Sequence, residues 1–171
     1  MQYDLIVIGS GPGGYRAAVL AAQRGLKVGI VEKAEWGGCG LNRGCVPKND
    51  WHHSAKLIAS SKTFSKRGVQ GQLSGDLGTA WEHQKKVVKT VRDSYISNMK
   101  RLGISGFAAS AAFVDAHTIA LDGHDHITAH HFIIATGSYP YVPKPFYQTD
   151  GKVLTSDELF NQPPPAGKRV A

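Results

Sequence analysis

Six residues near the N-terminus, Gly9-Ser10-Gly11-Pro12-Gly13-Gly14, constrain this chain more than anything else in it. They follow directly on Leu5-Ile6-Val7-Ile8, an apolar run with the length and composition of a buried parallel strand. An alanine-dense stretch from Gly13 to Gly25 reads as a helix, and Lys27 to Val31 as a second short apolar strand. The glycines thus stand at a strand-to-helix turn inside a βαβ unit. There Gly9 permits the tight turn, Gly11 lets backbone approach a pyrophosphate, and Gly14 lets helix pack closely on strand. The N-terminus of that helix offers free N–H groups and a partial positive charge to phosphates. Glu32 closes the second strand, 18 residues after Gly14. An acid about 20 residues beyond the turn is placed to hold a ribose hydroxyl. It also disfavours a 2′-phosphate, so the pattern expects FAD or NAD at this turn and not NADP.

Composition bounds the rest. A chain of 171 residues is one domain's length and can hold a sizeable core. With 42% hydrophobic and 19% charged residues, it is of ordinary globular type. No apolar run approaches the roughly 18 residues of a membrane span. Met1 to Ile8 is too short for a secretory signal. Two cysteines without an export signal fit a reducing compartment, so a cytoplasmic location is expected, where a cysteine pair is catalytic more often than structural. A net charge of +7 raises the question of nucleic acid. The basic residues are dispersed, however, and no basic motif is interleaved with aromatics. They read as a solvated surface that steers anionic cofactors. His124, His126, His130 and His131 gather at one segment and His52-His53 are adjacent, but no cysteine stands near them at zinc-site spacing. They read as polar surface residues, and no metal site is expected.

Further along, Lys48 to about Lys62 reads as a helix carrying Ala55, Ile58 and Ala59 on one face. Lys66 to Gly78, rich in glycine and serine, reads as a loop, and Thr79-Ala80-Trp81-Glu82 as a capping box. The helix that follows carries a stripe of Val88, Val91, Tyr95, Met99 and Leu102, and Gly103 ends it. From Phe107 to His131 short strands with a turn at Asp122-Gly123 suggest a small antiparallel meander. Phe132 to Ala135 reads as another buried strand, ended by Thr136-Gly137.

Four segments resemble one family. They are Asp4–Gly14, Glu32–Lys48 with its Leu41-Asn42-Arg43-Gly44-Cys45-Val46-Pro47, Ala135-Thr136-Gly137-Ser138, and Val153-Leu154-Thr155-Ser156-Asp157. In this order and spacing they resemble the FAD-binding domain of the pyridine nucleotide-disulfide oxidoreductases, the group of dihydrolipoamide dehydrogenase, glutathione reductase and mercuric reductase. The resemblance implies a Rossmann-like α/β domain, a parallel sheet with flanking helices and a small antiparallel β-meander crossover. It implies FAD at the glycine turn, with NAD(P)H bound elsewhere in the parent protein. Gly9, Gly11, Pro12, Gly13 and Gly14 then border the pyrophosphate, and Glu32 with Lys33 the adenosine ribose. Gly38 and Cys39 pass near the phosphates, Ala111 touches the adenine side, and Ala135, Thr136 and Gly137 close over the cofactor. The expected partners are a small-molecule or lipoyl-type disulfide and, in the parent, a second copy of the chain.

The resemblance also assigns catalysis to a cysteine pair, and here the chain departs from the family. Members typically read Gly-Gly-Thr-Cys-Leu-Asn-x-Gly-Cys; this chain reads Gly38-Cys39-Gly40-Leu41-Asn42-Arg43-Gly44-Cys45. The family's first cysteine falls on Gly40, and Cys39 takes the place of the threonine. The two cysteines are six apart instead of five. A disulfide needs Cα atoms within about 7 Å, whereas six residues of regular helix span about 9 Å. Three readings stand open: a bridge of altered geometry, Cys45 working alone as a flavin-facing thiol, or neither cysteine working. By the resemblance Cys45 is the flavin-proximal thiol and Cys39 exchanges with substrate. A thiolate does such chemistry, and a helix start with Arg43 and Lys48 near favours it. Lys48 resembles the family lysine beside the flavin ring, which occurs three or four places after the second cysteine. Here the three-place form is present and the four-place position is Asn49.

Pro163-Pro164-Pro165 reads as a linker, and Gly167 to Ala171 as the opening of a further strand. Residues 1–162 are therefore expected to be the FAD-binding domain and 163–171 a linker and the truncated start of an NAD(P)H-binding domain. The chain is read as a fragment, inactive alone, of an NAD(P)H-dependent oxidoreductase. Two rivals stay open: a flavin- or nucleotide-binding module without turnover, and an FAD oxidase or transhydrogenase without a working disulfide.

Overall fold

The structure, a computed structural model, describes residues 2–146 and 153–164. The strand expected over 167–171 lies outside these. The described residues form two compact units, one drawn from 2–41 and 91–139, the other from 42–90, 140–146 and 153–164.

The first unit is built on a six-stranded sheet. Strand β1 (Gln2–Ile8) leads through the glycine turn into α1 (Pro12–Gln23) and then β2 (Val28–Glu32). Four further strands follow: β3 (Ser105–Ala108), β4 (Ala111–Asp115), β5 (Thr118–Leu121) and β6 (Asp125–Ile134). Their order in the sheet is β3-β2-β1-β6-β5-β4. The first four are parallel, with Leu5 opposite Val28 on one side and His131 on the other. The last two join antiparallel. This is the Rossmann-like α/β class with a small antiparallel extension. Leu5, Val7, Val28 and Ile30 meet Ala18 and Val19 of α1 and Met99 and Ile104 in one core cluster. Tyr3, Ile6 and Val31 meet Ile119, Leu121, Ile127 and Ala129 in the other. Strands buried on both faces read as unbroken apolar runs, and β1 and β2 are of that kind.

Two details of the strands correct the sequence reading. The stretch from Phe107 does not open a meander, because Phe107 lies in β3 and pairs parallel to Val31. The antiparallel part is β4, β5 and the N-terminal part of β6; β5 and β6 are joined through Asp122-Gly123-His124, with Asp122 and Gly123 both in the left-handed region. Nor is Phe132–Ala135 buried throughout: Ile133 is 38% exposed and Ile134 68%. The reason is pairing. β5 flanks β6 only along Asp125–Thr128, so among the described strands β1 alone flanks the rest of it.

The second unit is helical. It holds α3 (Cys45–Ser61), a 3-10 turn at Phe64–Arg67 and the short α5 (Ser156–Asn161). It also holds the first half of the long α4 (Leu77–Arg101), whose second half belongs to the sheet unit. The inward face of α3 is Pro47, Trp51, Ser54 and Ile58, and not Ala55 and Ala59, which are exposed. Trp51 decides the face: its ring lies 5.2 Å from that of Phe160, and its indole N–H donates to the Ala80 carbonyl at 3.3 Å. The start of α4 is also shifted. The expected box at Thr79 is already inside the helix, and the cap is Asp76, which accepts the Thr79 N–H at 2.7 Å. A capping box does occur at α5, where Thr155 and Glu158 satisfy each other's backbone N–H groups. Along α4, Val88 and Met99 are buried as the stripe requires, and so is Gln84 at 2% exposure.

Candidate functional site

The glycine turn sits at the C-terminal end of the parallel strands, where open α/β sheets bind ligands. β1 ends at Ile8, and the Gly9 N–H donates to the Val31 carbonyl at 2.8 Å, tying the turn to β2. On the other side the Ala135 N–H donates to the Ile8 carbonyl at 2.8 Å, which continues the β6 ladder beside the turn. The backbones here are too close for side chains. A Cβ on Gly9, whose φ is +101°, would lie 2.3 Å from the Ala135 carbonyl oxygen. A Cβ on Gly38, at φ +64°, would lie 2.6 Å from the Gly11 Cα. The Gly9–Gly11 turn is thereby in close backbone approach to Ala135–Thr136 at one end and to Gly38 at the other, which only glycine permits at Gly9 and Gly38. Arg92 of α4 holds Glu35 at 2.9 Å, just ahead of the Gly37-Gly38 pair.

The start of α1 is open. Its N-cap is Gly11, no side chain caps it, and its first turn carries no acid. An α-helix leaves its first N–H groups unpaired, and here, with Pro12 carrying none, those of Gly11, Gly13 and Gly14 suit a phosphate. Pro12 and Gly13 are exposed on this first turn, and Gly14 is buried beneath it.

Glu32 is half-buried at the end of β2, and its carboxylate is firmly held. Oε2 accepts two hydrogen bonds from Ser10, from the hydroxyl at 2.6 Å and from the N–H at 3.0 Å. Oε1 accepts the Ala34 N–H at 2.9 Å. The Ser10 hydroxyl in turn accepts the Gly37 N–H at 2.9 Å. Lys33, next in the chain, is exposed. Ser10 joins three segments named by the sequence reading, yet that reading passed over it. Its one signal was a hydroxyl where glycines flank on both sides, and the partners were out of sight because they lie 22 and 27 residues away.

Fit to a dinucleotide cofactor such as FAD can be judged on these residues. The uncapped helix start suits a diphosphate, the exposed Gly13 on its first turn puts no side chain in the way, and Glu32 offers a polar group for a ribose. All of them belong to the sheet unit, as do Ala111 at the start of β4, Ala135, Thr136 and the left-handed Gly137 beyond β6. Ala111 packs partly buried against the second core cluster, while Thr136 and Gly137 are exposed.

The cysteines are not in one element. Cys39 lies in a one-turn helix, α2 (Gly38–Asn42), together with Gly40. Arg43 and Gly44 interrupt the helix, and Cys45 is the first residue of α3, whose start has Gly44 as N-cap and no side-chain cap. Both thiols are free and exposed. Lys48 is also exposed and donates from Nζ to Asn49 Oδ1 at 2.8 Å. Arg43 pairs with Asp157 at 3.0 Å, both partly buried, an ion pair that joins the residue before Gly44 to α5. The sequence reading missed this contact for the reason it missed Ser10: the partners are 114 residues apart. Among the described residues, no helix is long and apolar enough to cross a membrane.

Comparison with known proteins gives the same architecture a family. Residues 3–171 match the pyridine nucleotide-disulphide oxidoreductase family. The chain is 38% identical over 142 residues to a dihydrolipoyl dehydrogenase of Mycobacterium tuberculosis, covering 80% of this chain and 31% of that protein. With the dihydrolipoyl dehydrogenase of Acholeplasma laidlawii the identity is 36% over 169 residues, covering 94% of this chain and 49% of the relative. The chain thus spans between about a third and a half of the length of these relatives. Among solved structures, the Cu(II) complex of the HOCl-induced flavoprotein disulfide reductase RclA from Escherichia coli superposes with a TM-score of 0.67. At 24% identity, covering 82% of this chain and 29% of that one, the likeness is one of fold. With the match running through nearly the whole chain and the βαβ glycine turn in place, this chain belongs to the pyridine nucleotide-disulphide oxidoreductase family.

Proposed function

We propose that this chain is the FAD-binding portion of an NAD(P)H-dependent thiol/disulfide oxidoreductase. In that reading, electrons pass from a nicotinamide through FAD to a Cys39/Cys45 pair, and on to a small-molecule or lipoyl-type disulfide. The observation that carries it is the glycine cradle of the sheet unit, with an uncapped α1 start beside a hydrogen-bonded Glu32 carboxylate. When bound, FAD would supply the two-electron step between the hydride donor and the disulfide form of the cysteine pair. The protein's own residues do the holding. The N–H groups of Gly11, Gly13 and Gly14 take the diphosphate, Glu32 with Lys33 takes the adenosine ribose, and Ala111 borders the adenine. Gly38 and Cys39 pass the phosphates, and Ala135, Thr136 and Gly137 cover the cofactor. Lys48 lies by the isoalloxazine ring, Cys45 faces it, and Cys39 exchanges with the disulfide. The dihydrolipoyl dehydrogenase relatives support a lipoyl-type substrate, and the parent protein is proposed to be a cytoplasmic homodimer.

The test is FAD titration of the full-length protein and its Glu32→Ala variant. Loss of a hydrogen bond to a charged group lowers affinity by about 1.5–3 kcal/mol; an unchanged dissociation constant rejects the reading. One observation favours a second reading. Cys39 stands one place early for the family pattern, and both thiols are free. That suits an FAD oxidase or transhydrogenase without a working disulfide. Thiol counting before and after two-electron reduction separates the two, because only the disulfide enzyme gains two thiols.

A further inference from the structure

Ser10 is 1% exposed, and its N–H and its hydroxyl both bond groups beside the nucleotide site. Its N–H and its hydroxyl both donate to one atom, Glu32 Oε2, at 3.0 and 2.6 Å. Its hydroxyl oxygen accepts the N–H of buried Gly37 at 2.9 Å. An ionised carboxylate has about four acceptor positions. Ser10 fills both on Oε2, and Ala34 N–H fills one on Oε1. One position, on Oε1, is left. The pair of Ser10 donors also fixes which oxygen is spent and which keeps an open position, since a carboxylate free to rotate would offer either.

We propose that Ser10 is a positioning residue for nucleotide binding. It pins Oε2 so that Glu32 presents a single acceptor, Oε1, to one ribose hydroxyl of an adenine nucleotide. The inference deepens the proposed function and rests on Glu32 holding the ribose. It adds a specific consequence: discrimination for ribose hydroxyls depends on a side chain that does not touch the ligand. The same hydroxyl ties the Gly37-Gly38 loop to the turn, so a purely structural role for Ser10 is the alternative to be tested against.

The experiment titrates the chain and its Ser10→Ala variant with ADP and with 2′,3′-dideoxy-ADP. The chain itself binds ADP about tenfold or more tightly than the dideoxy analogue, the ratio that a hydrogen bond to a charged group supplies. Ser10→Ala leaves the Ser10 and Ala34 N–H donors in place but removes the shortest of the three bonds to the carboxylate, and it reduces that ratio to about threefold or less while changing the dideoxy affinity less than about twofold, because the aim at the ribose depends on the hydroxyl. Should Ser10→Ala not fold, Ser10→Gly removes the same hydroxyl and is read in the same two titrations. If both ligands weaken equally and the ratio stays, Ser10 acts only on the scaffold and the proposal is overturned while Glu32's role stands. If the unsubstituted chain does not distinguish the two ligands, Glu32 does not hold the ribose, and the functional reading falls together with the proposal.

Discussion

Gly13 and Gly14 are neighbours in the first turn of α1, and they respond oppositely to the same substitution. Gly13 is exposed, and a Cβ added there meets nothing within 4 Å. Gly13→Ala therefore gains helix propensity and loses unfolded-state freedom, together worth up to about 1 kcal/mol. Gly14 is buried, and its added Cβ would lie 1.9 Å from the Gly9 carbonyl oxygen, 3.0 Å from the Gly9 carbonyl carbon and 3.1 Å from Val7 Cγ1. Ordinary contact begins near 3.4 Å, so the helix or the turn must yield by about 1.5 Å. Two of the three atoms are backbone, and no change of rotamer relieves them. Overpacking costs about 1–3 kcal/mol where side chains can adjust, and backbone displacement puts Gly14→Ala at the upper end. The propensity gain of about 1 kcal/mol offsets only part of it. Gly14→Ala is expected to lose about 2 kcal/mol, and to lie about 3 kcal/mol below Gly13→Ala. Urea unfolding followed by far-ultraviolet circular dichroism measures both variants. An insoluble Gly14→Ala beside a soluble Gly13→Ala has the same sense. A Gly14→Ala protein as stable as the parent would refute the seating of α1 on the turn.

Asp157→Asn should cost about 1–2 kcal/mol, more than an exposed ion pair, because the Arg43–Asp157 contact at 3.0 Å is partly buried. A double-mutant cycle with Arg43→Met reads the coupling directly, and a value of zero rejects the contact as a stabilising one. The Thr79 hydroxyl, and then its N–H, hold the Asp76 carboxyl below its ordinary value. A lowered folded value means that the cap stabilises α4 fully above the unfolded value of about 3.9 and is lost as pH falls through the folded one. Amide exchange at Thr79 should accelerate below about pH 4, and Asp76→Asn, still a good cap, should lack that dependence. In flavin-loaded full-length protein, Cys45→Ser should abolish the long-wavelength absorbance that follows reduction. Cys39→Ser should keep it yet lose disulfide turnover, and intact turnover in Cys39→Ser would make the oxidase reading the leading one.

What could be read in the sequence was what depends on near neighbours. The order β1, glycine turn, α1, β2, Glu32 is set by apolar runs of strand length, an alanine-rich helix and glycines at a fixed offset, and the chain folds it so. Cys45 as a helix start and Asp122-Gly123 as a hairpin turn are of the same local kind. Periodicity alone misjudged the face of α3, because Trp51 and Phe160, far apart in the chain, choose it. It placed the start of α4 at Thr79, where Asp76 competes for the same N–H and lies outside the helix. It read Phe132–Ala135 as buried because composition does not reveal that the pairing of β6 with β5 stops at Thr128. The candidate site divides in the same way. Its glycines and its acid are visible as a pattern, since backbone approach and charge are properties of residue type. The aim of that acid is not visible, because it depends on where Ser10, Ala34 and Gly37 come to rest around one carboxylate. Hydrogen bonds have direction, and only the folded chain supplies the direction.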